Sequence, residues 1–165
     1  MSGIAWHSAF VGIGSNLNSP GRQVETAFDL IDAIPDTEVT ARSSLYRSAP
    51  LGGIEQPDFV NAVASVLTLL EPRALLDRLK AIERARGREP GGARWGPRVL
   101  DLDILVYADC RIDEERLVIP HQGIPERNFV LLPLRELVPD LVIPGLGRVC
   151  DISVNEKEPR ITRIA

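Results

Sequence analysis

The sequence predicts an α+β fold: a ferredoxin-like βαββαβ core, an antiparallel sheet with helices packed on one face of it, and mobile loops. Two observations carry this. Short runs rich in β-branched residues alternate with two amphipathic stretches in the order strand, helix, strand, strand, helix, strand. The chain has 165 residues, 44% apolar and 25% charged, which is ordinary usage for one globular domain. A domain of that size buries about 68–70% of its unfolded surface and needs no disulfide or structural metal to fold. Element order alone gives no function, because many activities use this arrangement.

Ser8–Ile13 is an apolar run closed by Gly14, a first strand. Gly14-Ser15-Asn16 and Ser19-Pro20-Gly21 are turn chemistry. Val24, Ala27, Phe28, Ile31 and Ile34 then form one helical stripe that Pro35-Asp36 ends. Glu38–Arg47 reads as a second strand, Ser48–Pro57 as a loop, and Phe59–Leu69 as a third strand. Pro72–Arg86 is a second helix, with Leu75, Leu76, Leu79 and Ile82 on its buried face. Gly87–Pro97 is flexible by composition, and Val99–Tyr107 is a fourth strand. A hairpin through Asp113-Glu114 leads to Leu117–Ile119, Pro125–Leu137 is a third helix, and Leu141–Ile143 a last short strand. Residues 1–7 and 156–165 are expected to be loose termini of one domain covering 1–165.

The net charge of −4 argues against a nucleic-acid-coating protein. No run approaches the ~18 apolar residues of a membrane span, and the N-terminus lacks the features of a signal peptide. Two cysteines without a C-x-x-C, and two histidines, make a zinc site improbable. Free thiols in a reducing cytoplasm are the simpler reading. Within this acidic chain, Arg84–Arg98 holds five arginines and a single acid, Glu89. Such an island is either a solvated surface or a local anion site.

The most informative stretch is Arg94–Tyr107, RWGPRVLDLDILVY. Asp101 and Asp103 stand two apart in a strand, so both carboxylates share one face, with origins about 6.6 Å apart. Aspartate is depleted in strands, while Leu100, Leu102 and Ile104 face the core. Oxygen ligands without histidine or thiol suit Mg²⁺. Arg88, Arg94 and Arg98 lie beside the pair, and guanidinium forks with a metal are what a nucleoside triphosphate needs. Trp95 either covers a planar ligand or folds onto the core. His121 and Arg127 form a second cationic group that suits a phosphate. Phe59 and Asn61 share a strand face, where an aromatic and an amide can read a flat heterocycle; Phe129 lies in the third helix.

At this point the residues resemble a known family, the 6-hydroxymethyl-7,8-dihydropterin pyrophosphokinases of folate biosynthesis. The resemblance spans about Phe10 to Gly147 and rests on GSN at Gly14–Asn16, SLYRSAPLG at Ser44–Gly52, QPDFVNAV at Gln56–Val63, RWGPRVLDLDI at Arg94–Ile104, and LVIPH followed by ERNFVLLPL. It implies a cytoplasmic monomer that transfers pyrophosphate from ATP, with two Mg²⁺, to 6-hydroxymethyl-7,8-dihydropterin and releases AMP. By the same resemblance Asp101 and Asp103 hold the metal, and Arg88 and Arg98 grip the triphosphate. Glu83, Ile104, Arg116, Val118, His121 and Arg127 line the nucleotide site, Ile104 and Val118 through apolar or backbone contacts. Phe59 and Phe129 sandwich the pterin, Asn61 hydrogen-bonds it, Ser48, Ala49 and Leu51 shape its pocket, and Trp95 closes over the active centre, touching nucleotide and pterin alike. Four positions depart from the family pattern: Gln122 where tyrosine is common, Phe59 for tyrosine, Lys80 for glutamine, and one arginine fewer in the loop after Arg88. The competing readings are a non-catalytic nucleotide- or pterin-binding module and a metal-dependent phosphodiesterase.

Overall fold

The computed structural model describes residues 5–87 and 96–165. In chain order its elements are β1 (His7–Ser15), α1 (Pro20–Asp32), β2 (Thr37–Arg42), β3 (Tyr46–Ser48), β4 (Phe59–Thr68), α2 (Pro72–Ala85), β5 (Asp101–Tyr107), β6 (Ile112–Asp113), β7 (Val118–Ile119), α3 (Asn128–Leu137), β8 (Val142–Ile143), β9 (Gly147–Arg148), a 3₁₀ turn at Val149–Asp151, and β10 (Ile161–Arg163). The main sheet runs β10-β3-β4-β1-β5, with β2 pairing β4 beyond β3, and every pairing is antiparallel. This is the expected βαββαβ order with additions at the C-terminal end.

Side chains of β1 at Ala9, Val11 and Ile13 and of β4 at Val60, Ala62, Ala64 and Val66 point to one face. There they meet Val24, Ala27, Phe28 and Ile31 of α1 and Leu75, Leu76 and Leu79 of α2. Each of the larger chains contributes about 1.5–3 kcal/mol by leaving water. Phe10, Val63, Leu105 and Val106 point the other way and pack on Leu131 and Leu134 of α3, and on Ile143, Val149 and Ile152 beyond it. The two helices of the βαββαβ core therefore share one face, as expected, and α3, which lies outside that core, covers the second. The stripe on α3 marks its inward side but carries no information about which side of the sheet it meets.

Two expectations are corrected. The strand over 38–47 is two strands, broken where Ser43 turns inward. Its backbone N–H donates to the Val63 carbonyl, and its hydroxyl oxygen accepts from the Val63 N–H. The segment after Glu156 is not loose, because β10 pairs with β3 in the register Ile161↔Ser48 and Arg163↔Tyr46. The β1–β5 register slips one residue between Phe10 and Val11, which leaves Leu105 as a bulge. Leu105 and Val106 consequently both face α3, and Tyr107 returns to the first face. Cys110 and Cys150 are free thiols. Among the described residues no helix is long and apolar enough to cross a membrane.

Candidate active site

The second face of the sheet is covered by α3 at one end only. At the other end a cleft of about 850 Å³, counting its open mouth, lies over β1, β4 and β5.

One wall belongs to β5. Asp101 and Asp103 both line the cleft, while Leu102 between them is fully buried among α1 and α2. Their side chains are 36% and 47% exposed. Arg98 Nε stands 3.9 Å from Asp101 and Lys80 Nζ 3.9 Å from Asp103, both at the limit of ion pairing. Half-exposed pairs of that length contribute little. Among the described residues no group of three or more His, Cys, Asp or Glu could hold a metal ion. A pair of carboxylates is nonetheless the donor set that suits Mg²⁺, which keeps several waters and takes its remaining ligands from substrate phosphates.

His121 and Arg127 stand over the same acids. His121 Nδ1 accepts a hydrogen bond from the Gly123 N–H at 2.9 Å, which places the ring proton on Nε2. Burial lowers its pKa from the ordinary value; the Arg127 and Lys80 cations add to the lowering, and the Asp103 carboxylate opposes it. The ring is therefore neutral at pH 7, with an N–H to donate. Gly123 sits beneath both side chains, where a Cβ would come 2.9 Å from Arg127 Cδ and 3.1 Å from His121 Nδ1.

The opposite wall belongs to β3, β4 and α3. Ser48, Ala49, Leu51, Phe59, Asn61, Phe129 and Val130 line it. Asn61 is 6% exposed and its amide donates to the Ser48 hydroxyl at 2.8 Å. An apolar slot with one buried amide is suited to a flat, hydrogen-bonding heterocycle. The floor between the walls is Gly12 and Gly14 of β1, which pair with Asp103 and Asp101 on one side and with Val63 and Asn61 on the other. A Cβ on Gly14 would come within 3.2 Å of Asn61 Oδ1, and one on Gly12 within 3.2 Å of Leu105 Cδ2.

Asn16 joins the two walls. It is 2% exposed, and its Oδ1 accepts from the Arg98 N–H at 2.8 Å. Its amide donates to Gln56 Oε1 and to the Pro57 carbonyl, both at 2.9 Å. The stretch carrying Arg98 is thereby tied to the loop that leads into Phe59.

The structure thus brings together eleven of the sequence-predicted residues: Ser48, Ala49, Leu51, Phe59, Asn61, Arg98, Asp101, Asp103, His121, Arg127 and Phe129. Four others do not line the cleft. Ile104 packs in the core between β5 and the first two helices. Glu83 is 1% exposed, its carboxylate accepting from Lys80 Nζ at 2.8 Å and from the Leu102 N–H at 3.0 Å. Arg116 lies on the exposed β6–β7 connection and pairs with Asp77 of α2 at 3.2 Å, and Val118 is half-buried in β7. Arg88 and Trp95 lie outside the described residues. Sequence reasoning missed Gly12, Gly14, Gly123 and the bridging role of Asn16. The pattern Gly12-x-Gly14 inside an otherwise apolar strand was the available signal for a close approach.

The chain matches the family described as 7,8-dihydro-6-hydroxymethylpterin-pyrophosphokinase (HPPK) over residues 10–139. It is 47% identical over 138 residues to a 2-amino-4-hydroxy-6-hydroxymethyldihydropteridine pyrophosphokinase of Haemophilus influenzae, covering 84% of this chain and 86% of that one. The enzyme of the same name from Pseudomonas aeruginosa is 48% identical over 135 residues, covering 82% and 83%. Among solved structures, a Plasmodium falciparum HPPK-DHPS with pteroate superposes with a TM-score of 0.73 at 15% identity, over 99% of this chain and 45% of that one. That likeness speaks for the fold, and the chain spans about half the length of such solved chains.

Proposed function

The chain belongs to the 7,8-dihydro-6-hydroxymethylpterin-pyrophosphokinase family, whose members are pyrophosphokinases of folate synthesis that use ATP as co-substrate, and we propose how its cleft divides that work. The acceptor 6-hydroxymethyl-7,8-dihydropterin lies between Phe59 and Phe129 with Asn61 on its ring edge. Ser48, Ala49 and Leu51 close the end of the slot. ATP lies along the other wall, its phosphates over Asp101 and Asp103. The hydroxymethyl oxygen attacks the β-phosphorus, the bond from that phosphorus to the α-phosphate oxygen breaks, and AMP leaves.

Asp101 and Asp103 would hold Mg²⁺, which when bound neutralises the oxygens of the polyphosphate. Arg98, joined by Arg88 and closed over by Trp95, grips the transferring group. His121 donates its Nε2–H to a phosphate oxygen, and Arg127 adds a second charge-assisted contact. The protein forms no covalent bond in such a transfer; it positions two substrates and neutralises charge. The free thiols Cys110 and Cys150 suit a cytoplasmic enzyme, and the reading is of a monomer acting on two small molecules.

One observation carries this reading: two carboxylates from a single strand face and an apolar, amide-bearing slot open into the same cleft. A binding module has no need of the first, and a phosphodiesterase has no need of the second. The test mixes the protein with ATP, Mg²⁺ and 6-hydroxymethyl-7,8-dihydropterin and quantifies nucleotide products. AMP formed in step with diphosphorylated pterin supports the proposal. No AMP, or AMP formed equally without pterin, overturns it.

A further inference from the structure

We propose that the C-terminal segment 155–165 positions the acceptor-side wall of the cleft, acting chiefly through Asn128. This rests on the pterin-slot reading above and assigns a part to residues beyond 139, where the family match ends.

The segment bonds to both sides of the slot. On the Phe59 side, β10 pairs with β3, and β3 pairs with β4, so that Ile161, Ser48 and Phe59 stand in one row across three strands. Just past that row, the Ala49 N–H donates to the Arg160 carbonyl at 2.9 Å. Arg160 also pairs with Asp58, the residue before Phe59, at 2.9 Å. On the Phe129 side, the contact is Asn128, the first residue of α3 and fully buried. Its amide donates to the carbonyls of Asn155 at 3.1 Å and Pro159 at 2.7 Å. One stretch of backbone therefore fixes the position of the residue beside each aromatic ring.

The chemistry at Asn128 is specific. Two carbonyls converge on one NH₂, while the buried Oδ1 has no hydrogen-bond partner among the described residues. A group kept at that cost is kept for its donors. Neither a carboxylate nor an aliphatic side chain of the same size can replace them. Loss of the donors frees the 155–159 turn from α3 and lets Phe129 shift relative to Phe59. The Asn16 bonds that tie the Arg98 stretch to the rest of the cleft run to Gln56 and Pro57, not to this turn.

The experiment titrates wild type, Asn128→Ala, Asn128→Asp and Arg160→Ala with 6-hydroxymethyl-7,8-dihydropterin and, separately, with MgATP. Asn128→Ala weakens pterin binding roughly tenfold and changes MgATP binding less than about twofold, as befits two lost donor contacts. Asn128→Asp, equal in shape but without donors, fails to rescue pterin binding. Arg160→Ala, at the surface, weakens it about threefold, with cooperative unfolding intact. Pterin affinity unchanged in Asn128→Ala, or both ligands weakened together, overturns the proposal. So does full affinity in Asn128→Asp. If Asn128→Ala does not fold, Arg160→Ala decides, and unchanged pterin affinity there overturns it. A wild type that binds no pterin removes the functional reading as well, which separates the two failures.

Discussion

The face of the sheet under α1 and α2 is dry and continuous, whereas the face under α3 is covered for half its length and polar for the rest. On the first face Ala9, Val11 and Ile13 of β1 and Val60, Ala62, Ala64 and Val66 of β4 are apolar and closed by two helices. On the second, the same strands carry Gly12, Gly14 and Asn61, and β5 carries Asp101 and Asp103. Strand alternation makes this possible: one set of residues folds the chain, the other is released from packing and left for chemistry. Substitutions on the two faces should consequently fail in different ways, the first by unfolding, the second by losing a substrate.

The largest effect expected from that contrast is at the acids. Asp101→Asn should lower turnover by roughly 10³-fold, the scale of removing a transition-state electrostatic partner, and leave the melting temperature within a few degrees. Rate assays paired with thermal unfolding check this. Gly14→Ala should follow, raising the pterin KM about tenfold while leaving MgATP affinity intact, since the added methyl meets Asn61 and not the acids. Direct titration of each substrate distinguishes the two.

Next is the pH response at His121. Its pKa is lowered in the free protein, first by burial and then by Arg127 and Lys80. A bound polyphosphate favours the imidazolium, so binding takes up a proton and MgATP affinity should rise roughly threefold from pH 7.5 to 6. His121→Ala should abolish that slope in calorimetry.

The smallest effect lies away from the cleft. Glu136 of α3 accepts from Tyr46 Oη at 2.6 Å and from the Ser44 N–H at 2.9 Å, stapling α3 to the break before β3. Burial acts to raise the Glu136 pKa, but these hydrogen bonds outweigh it and the net shift is downward. Burial, then Glu136, push Tyr46 up to about 12. Stability from the lowered carboxyl is present above its ordinary pKa and lost as pH falls through the folded value. That from Tyr46 is present below 10 and lost as pH rises towards 12. Glu136→Gln should therefore cost about 1 kcal/mol at pH 7, with the gap to wild type closing in acid, as denaturant titrations at pH 7 and 3 would show.

Much of this contrast was legible in the sequence. The aspartates announced themselves because the strand around them is apolar and they are not. Phe59 and Asn61 share a face by simple alternation. The helix stripes gave α1, α2 and α3 to within a few residues. What escaped depends on contacts distant along the chain. Ile161–Arg163 is too short and too polar in its flanks to read as a strand until β3 pairs with it. The break at Ser43 exists because its side chain competes for the Val63 backbone. The bulge at Leu105 follows from the β1 register. Asn16 looked like turn chemistry because its partners Gln56, Pro57 and Arg98 lie 40 to 82 residues away. The bond by which Glu83 holds the Leu102 peptide between the two acids also spans 19 residues.

In the proposed function Asp101 and Asp103 bind a nucleotide polyphosphate through a divalent cation. Calorimetric titration of ATP into the acceptor-free protein, with Mg²⁺ and with the ion chelated, tests it most directly when the Asp101→Asn, Asp103→Asn double variant is run alongside. Wild type should bind ATP tightly only with Mg²⁺, and the folded double variant should lose that Mg²⁺-dependent gain. Equal ATP affinity in the two proteins, with the same dependence on Mg²⁺, would contradict the claim.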